Sequence, residues 1–163
     1  MDPVTRERTE SNVSMAVKSA KNALIKANVN ANEIDLIIYA GILYDVMCPP
    51  SSTLVQGELG IEYCSEMSIH SNCTAIYKAI QIGSDFIRLG RYKNVLIVTS
   101  QLSSTFLRSE YFNQEKITEE QVILRWFLSD GAGAMVLTSD PKNTSKMYVE
   151  DTYLDSVGTH LSP

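Results

Sequence analysis

SEMSIHSNCTAIYKAIQIGSDFIRLG, residues 65–90, decides the fold. The short run SEMSIH reads as a strand. It ends in SNC, and a long apolar helical pattern begins at once. Ile76, Tyr77, Ile80, Gly83 and Ile87 cover one side of that pattern; Ala75, Ala79, Ile82, Phe86 and Leu89 cover another. Lys78, Gln81, Asp85 and Arg88 share one narrow stripe. The spacing predicts a buried central helix over Cys73–Leu89, lying between layers and showing water little surface. Gly90 closes it. A cysteine, Cys73, thus stands on the first turn, where a strand turns sharply into a helix.

The rest of the chain alternates strand and helix patterns around this unit. Val13, Ala16, Val17, Ala20, Ala23, Leu24 and Ala27 recur at helical spacing within Thr9–Asn28. Lys18, Lys21, Asn22 and Lys26 fall on the opposite face, readable as a solvated face or as a dock for an acidic partner. EIDLIIYAG (33–41) is a continuous β-branched run of the kind covered on both faces in a parallel sheet. PPSSTLVQGELGI (49–61) reads as a turn and short helix stopped by Gly60, and NVLIVTSQ (94–101) as a second buried strand. Leu102–Trp126 lacks strand periodicity and is rich in aromatic and charged residues, the composition of a functional or interfacial connection. FLSDGAGAMVLTSD (127–140) reads as a glycine-rich turn into a strand at Ala134–Thr138, and KMYVEDTYLDS (146–156) as a last strand. The class is α/β, a mixed sheet in one partial domain spanning 1–163.

Composition narrows the function. The chain has 163 residues and a formal net charge of −5, which argues against nucleic acid as main partner. It has no apolar run of membrane-spanning length, and its charged N-terminus lacks a secretory apolar core. Three cysteines, Cys48, Cys64 and Cys73, sit at no metal-ligand spacing and read as reduced thiols of a cytoplasmic protein. By default Cys48 and Cys64 are small apolar fillers.

Cys73 has two readings. At a helix N-terminus the backbone N–H groups lack intrahelical partners. The dipole there favours a thiolate, which becomes a nucleophile, and the same N–H groups can hold an oxyanion. Ser71 and Asn72 are both good capping types. The other reading is a buried structural cysteine, the commonest fate of a free thiol. The DGAGA turn is no phosphate loop, for it lacks the required lysine and following helix. Gly131 and Gly133 there allow close backbone approach or positive φ, and Asp130 reads as a turn or network residue.

IHSNCTAIYKAI (69–80), NVLIVTSQ and FLSDGAGAMVL (127–137), in this order, resemble the β-ketoacyl-acyl-carrier-protein synthase III family of the thiolase superfamily. IDLIIYAG, PPSSTLVQGELGI and RER (6–8) match in order too. The resemblance spans nearly the whole chain and implies the N-terminal half of a thiolase-like fold. It implies a fatty-acid or polyketide-like acyltransferase, using no cofactor, whose Cys73 takes an acyl group from acyl-CoA or acyl-carrier protein. Decarboxylative condensation with a malonyl thioester follows. It further implies a homodimer or a complementing C-terminal half as partner. By the same likeness Cys48 falls where the family caps its partner's acyl tunnel; Arg6 and Arg8 read first as solvated surface residues and second as contacts to a CoA phosphate. The family's His and Asn lie in its second half, and neither His70 nor His160 matches them. Ser129 replaces the family's first glycine in GDGAGA, and the stretch LRSEYFNQEKITEEQ (107–121) is longer than usual. An alternative is a non-catalytic subunit or fragment that acts only in association. The family's opening strand has no counterpart here. Placed centrally, between the strands of DLIIYA and NVLIVTS, its absence leaves a gap of unpaired backbone and predicts marginal stability or a borrowed strand.

Overall fold

The computed structural model describes residues 7, 9–105, 114–140 and 147–156. Among the described residues four α-helices, α1 (Asn12–Ala27), α2 (Ser51–Leu59), α3 (Ala75–Arg88) and α4 (Glu119–Phe127), accompany four strands. These are β1 (Leu36–Gly41), β2 (Ser65–His70), β3 (Asn94–Gln101) and β4 (Gly131–Thr138). They form one sheet in the order β2-β1-β3-β4, with β1 parallel to β2 and β3, and β4 antiparallel to β3.

β1 is buried along its whole length, as its unbroken apolar run requires. Its alternate side chains feed two cores. Ile37 and Tyr39, with Leu96 and Val98 of β3, pack on Ala16, Val17, Ala20 and Leu24 of α1 and Val55 of α2. Leu36, Ile38 and Ala40, with Val95 and Ile97, pack on Ala75 and Ala79 of α3. The result is three layers, with α1 and α2 on one face and α3 on the other.

The gap expected between the strands of DLIIYA and NVLIVTS does not exist. Leu36–Tyr39 pair directly with Val95–Val98. Two apolar strands buried on both faces satisfy their backbone groups best by pairing with each other. Among the described residues β4 pairs only with β3, so the sheet's open edges are those of β2 and β4.

The burial expected for the central helix also needs correction. α3 buries only the stripe facing the sheet, at Ala75, Ala79, Gly83 and Ser84. Tyr77 is 61% exposed and Leu89 77%. Gly83 lets the helix approach closely: a Cβ there would lie 3.1 Å from Leu137 Cδ1 and 3.2 Å from Val95 Cγ1. Beyond α3 the described residues supply no further layer, only the segment 147–154.

KMYVEDTYLDS forms no strand within its described part, 147–156. It lies against α3 instead, where the Arg88 guanidinium donates to the carbonyls of Val149 (3.3 Å) and Glu150 (2.6 Å). An open groove of about 800 Å³ lies between Tyr77 and Ile80 and this segment. The GAGA residues are strand, not turn: β4 begins at Gly131. Neither Gly131 nor Gly133 has positive φ, and no backbone presses on either. Positive φ occurs instead at Gly60 and Gly90, which end α2 and α3. Leu102–Trp126 holds all but the last residue of the short helix α4, which is capped by a reciprocal Thr118–Gln121 box. No residue of α4 is buried. Among the described residues no helix is long and apolar enough to cross a membrane.

Candidate active site

The parallel strands β1, β2 and β3 deliver their C-terminal ends to one rim of the sheet, and the chain turns sharply there. After β2 ends at His70, a single 3-10 turn, Asn72–Thr74, leads into α3. Cys73 sits on that turn, ahead of the α-helix rather than on its first turn, and is exposed. An exposed thiol is no core filler. Asn72, just before it, has φ of 41°, left-handed backbone that a side chain seldom adopts. The sharp change of direction is concentrated at this residue, and it turns Cys73 outward at the rim.

The capping expected from Ser71 and Asn72 does not form. Thr74 occupies the N-cap of α3 and no side chain caps it. The N–H groups of a first turn have no acceptor within the helix itself; here the Ala75 N–H donates to the Asn72 carbonyl of the preceding 3-10 turn, and no side chain adds a further acceptor. Thr74 Oγ1 instead donates to the Ser71 carbonyl (2.8 Å), and Lys78 Nζ donates to Ser71 Oγ (2.5 Å).

The other two thiols differ from each other. Cys64 is half-buried against the α1/α2 core, as a filler should be. Burial, with the Glu66 charge adding to it, pushes its pKa up to about 11. Cys48 is exposed on the loop between β1 and α2, so the filler reading fails there. The loop carries Val46 and Met47 exposed beside it. His70 is exposed at the end of β2, its ring 5.6 Å from that of Tyr44. Arg6, Arg8 and His160 lie outside the described residues. Asp130 is a network residue, accepting the Ser104 N–H at 2.8 Å.

A polar clamp that the sequence reading missed holds this rim. Asp45, in the Cys48 loop, accepts the N–H groups of Asn12 (3.0 Å) and Val13 (2.8 Å) and the Asn12 side-chain amide (3.1 Å). Asn12 Oδ1 in turn accepts the Leu102 N–H after β3, at 2.9 Å. Burial works to raise the Asp45 pKa. The hydrogen bonds from Val13 and Asn12 outweigh it and hold the carboxyl below its ordinary range. Tyr39 lies beneath, its hydroxyl 2.8 Å from Ser100 Oγ, and burial pushes its pKa up. No periodicity flags Asp45, because its partners are 32 and 33 residues away.

Comparison with known proteins agrees with this geometry. Residues 67–158 match the family profile of 3-oxoacyl-[acyl-carrier-protein] synthase III. The chain is 35% identical over 130 residues to the β-ketoacyl-[acyl-carrier-protein] synthase III of Clostridium perfringens, covering 80% of this chain and 37% of that protein. It is 34% identical over 153 residues to the synthase of Ehrlichia canis, covering 94% of this chain and 44% of that one. The chain therefore spans less than half the length of these curated relatives. Among solved structures, the 3-oxoacyl-[acyl-carrier-protein] synthase III of Aquifex aeolicus superposes with a TM-score of 0.71 at 30% identity, over 82% of this chain and 40% of that one. OleA of Xanthomonas campestris, at 24% identity and a TM-score of 0.72, shares the fold over 81% of this chain and 42% of its own. The strand–turn–helix around Cys73, the mixed sheet and these matches together make this chain a member of the 3-oxoacyl-[acyl-carrier-protein] synthase III family, with the thiolase-like fold.

Proposed function

We propose that Cys73 is the acyl acceptor of a condensing enzyme of fatty-acid or related biosynthesis in the cytoplasm. The Cys73 thiolate attacks the carbonyl of an acyl-CoA thioester. N–H groups at the uncapped start of α3 hold the tetrahedral oxyanion, and CoA leaves as a thiolate that takes up a proton. A malonyl group on acyl-carrier protein then loses carbon dioxide. The enolate so formed attacks the acyl carbonyl, a carbon–carbon bond forms, and the Cys73 thiolate departs. The second stage needs donors to steady the enolate. The resemblance puts these, a His and an Asn, in the half-fold that this chain does not match, so a complementing half that carries them completes the site, and a homodimer of this chain would not supply them. The observation that carries the reading is an exposed cysteine directly after a left-handed residue at a strand-to-helix turn.

A second reading, a subunit that serves association alone, is favoured by one observation. α4 and its ends expose Ile117, Val122, Ile123, Leu124, Trp126 and Phe127, an apolar surface suited to burial against a partner. Incubating the chain with acetyl-CoA and malonyl-acyl-carrier protein separates the two. The proposal expects an acetyl thioester on the chain and no condensation product until a complementing half is added. Failure of the chain to acquire acetyl, with or without that half, favours association alone. Condensation by the isolated chain would place the missing donors within it and refute the division of labour.

A further inference from the structure

We propose that Ser71, Thr74 and Lys78 form a positioning network that holds the strained turn presenting Cys73. The proposal rests on the reading of Cys73 as acyl acceptor. Asn72 is held at a φ of 41°, a conformation that asparagine tolerates better than most side chains but that still costs more than an ordinary one. Such a conformation persists where its surroundings over-determine it. The surroundings here are three hydrogen bonds that span it. Lys78 Nζ reaches Ser71 Oγ at 2.5 Å, Ser71 Oγ lies 3.0 Å from Thr74 Oγ1, and Thr74 Oγ1 donates to the Ser71 carbonyl at 2.8 Å.

The proton count closes in one way only. Lys78 has donors and no acceptor, so Ser71 Oγ accepts from it. The Thr74 hydroxyl proton is committed to the Ser71 carbonyl. The Ser71 hydroxyl proton is therefore the one that goes to Thr74 Oγ1. Each hydroxyl donates once and accepts once, and the direction runs from Lys78 through Ser71 and Thr74 back to the Ser71 backbone. The network ties the last residue before the left-handed position to the residue just after Cys73. Lys78, one turn into α3 and four residues beyond Thr74, lies on the same helix face and anchors the turn to the helix. It does not touch the thiol through any bond in the structure. It acts through Ser71, and what it fixes is the aim of the N–H groups at the start of α3 relative to Cys73, which an oxyanion needs and a simple thiol reaction does not.

That distinction supplies the test. In the intact chain, Ser71→Ala and Lys78→Met are compared with wild type for acylation of Cys73 by acetyl-CoA and for alkylation of Cys73 by iodoacetamide. The network predicts that acylation falls about tenfold or more in both variants, as when an oxyanion donor is misdirected. Alkylation, which needs no oxyanion donor, changes by less than about twofold. Lys78→Arg, which keeps a cationic donor, restores most of the acylation rate. Unchanged acylation in both variants overturns the proposal, and so does an equal fall in both reactions. If wild type itself is not acylated on Cys73, the reading of function fails separately. The network is then judged by amide exchange at residues 72–75: faster exchange in the two variants supports it, and unchanged exchange overturns it.

Discussion

Removing the Asp45 carboxylate should loosen the rim of the sheet by a predictable amount. The start of α1 presents four N–H groups without intrahelical acceptors. A reciprocal capping box covers two of them, Ser11 N–H donating to Ser14 Oγ and Ser14 N–H to Ser11 Oγ. Asn12 and Val13 depend on Asp45. Asp45→Ala therefore strands two helix N–H groups and the Asn12 amide, which is nearly buried. Hydrogen bonds to a charged group contribute roughly 1.5–3 kcal/mol when well shielded, and the favourable charge at a helix N-terminus about 0.3–1 kcal/mol. Water reaches the half-exposed carboxylate, so these do not sum. The expected loss is about 2–3 kcal/mol for Asp45→Ala, at the scale of a lost cap with a buried partner. Asp45→Asn keeps an acceptor but no charge and should lose about 1 kcal/mol.

The pH dependence has a definite sign. The folded pKa of Asp45 lies below its unfolded value, so its contribution is complete above the unfolded value of about 3.9 and disappears as pH falls through the folded one. Urea unfolding of wild type and both variants at neutral pH and at acid pH reads this as a difference in midpoint at constant slope. The wild-type advantage should be full at neutral pH and shrink in acid. An Asp45→Ala variant as stable as wild type at neutral pH, or an advantage that grows on acidification, would refute the reasoning.

Other outcomes follow from the packing and the thiols. Gly83→Val should cost about 2–3 kcal/mol in the same assay, because side chains of Leu137 and Val95 stand in the way; a neutral result would mean that α3 does not seat closely on the sheet. Amide exchange should be slow through residues 36–39 and 95–98, which pair with each other, and faster at the outward-facing amides of β4; fast exchange in the first two would restore the central gap. With limiting iodoacetamide at neutral pH, Cys73 should label before Cys48. Cys64, with its pKa raised to about 11, should label last, since its thiolate fraction near pH 7 is on the order of a ten-thousandth. Equal labelling of all three thiols in the folded chain would count against an activated Cys73.

Much of the fold was legible because period and punctuation agree. SEMSIH and NVLIVTSQ are strands with the bounds that their patterns suggest, and Gly60 and Gly90 end their helices through positive φ. Strand order was not legible. The run DLIIYA looks the same whether its neighbour is β3 or a strand between them, since a two-sided apolar strand carries no mark of its partner. The same kind of ambiguity misled at α3, where apolar residues all round suggest cover on every side but do not say where a covering layer comes from, and the described residues bury only one stripe. KMYVEDTYLDS alternates, yet no sheet edge receives its described part, and alternation alone cannot supply one. At the site, the elbow at Cys73 was legible from strand, turn and helix in succession. The Asp45 clamp was not, because its partners are adjacent only after folding. Nor was the link from Lys78 to Ser71, since Lys78 sits on a polar stripe that reads as solvated.

If Cys73 is the acyl acceptor, an acyl group can be found on it. The direct measurement is peptide mass mapping of the intact chain after incubation with acetyl-CoA, run beside a Cys73→Ser variant. The account predicts one acetyl group as a hydroxylamine-labile thioester on the peptide containing Cys73, and none on the variant. Acetyl on Cys48 or Cys64 instead, or equal acetylation of the Cys73→Ser chain, would contradict it.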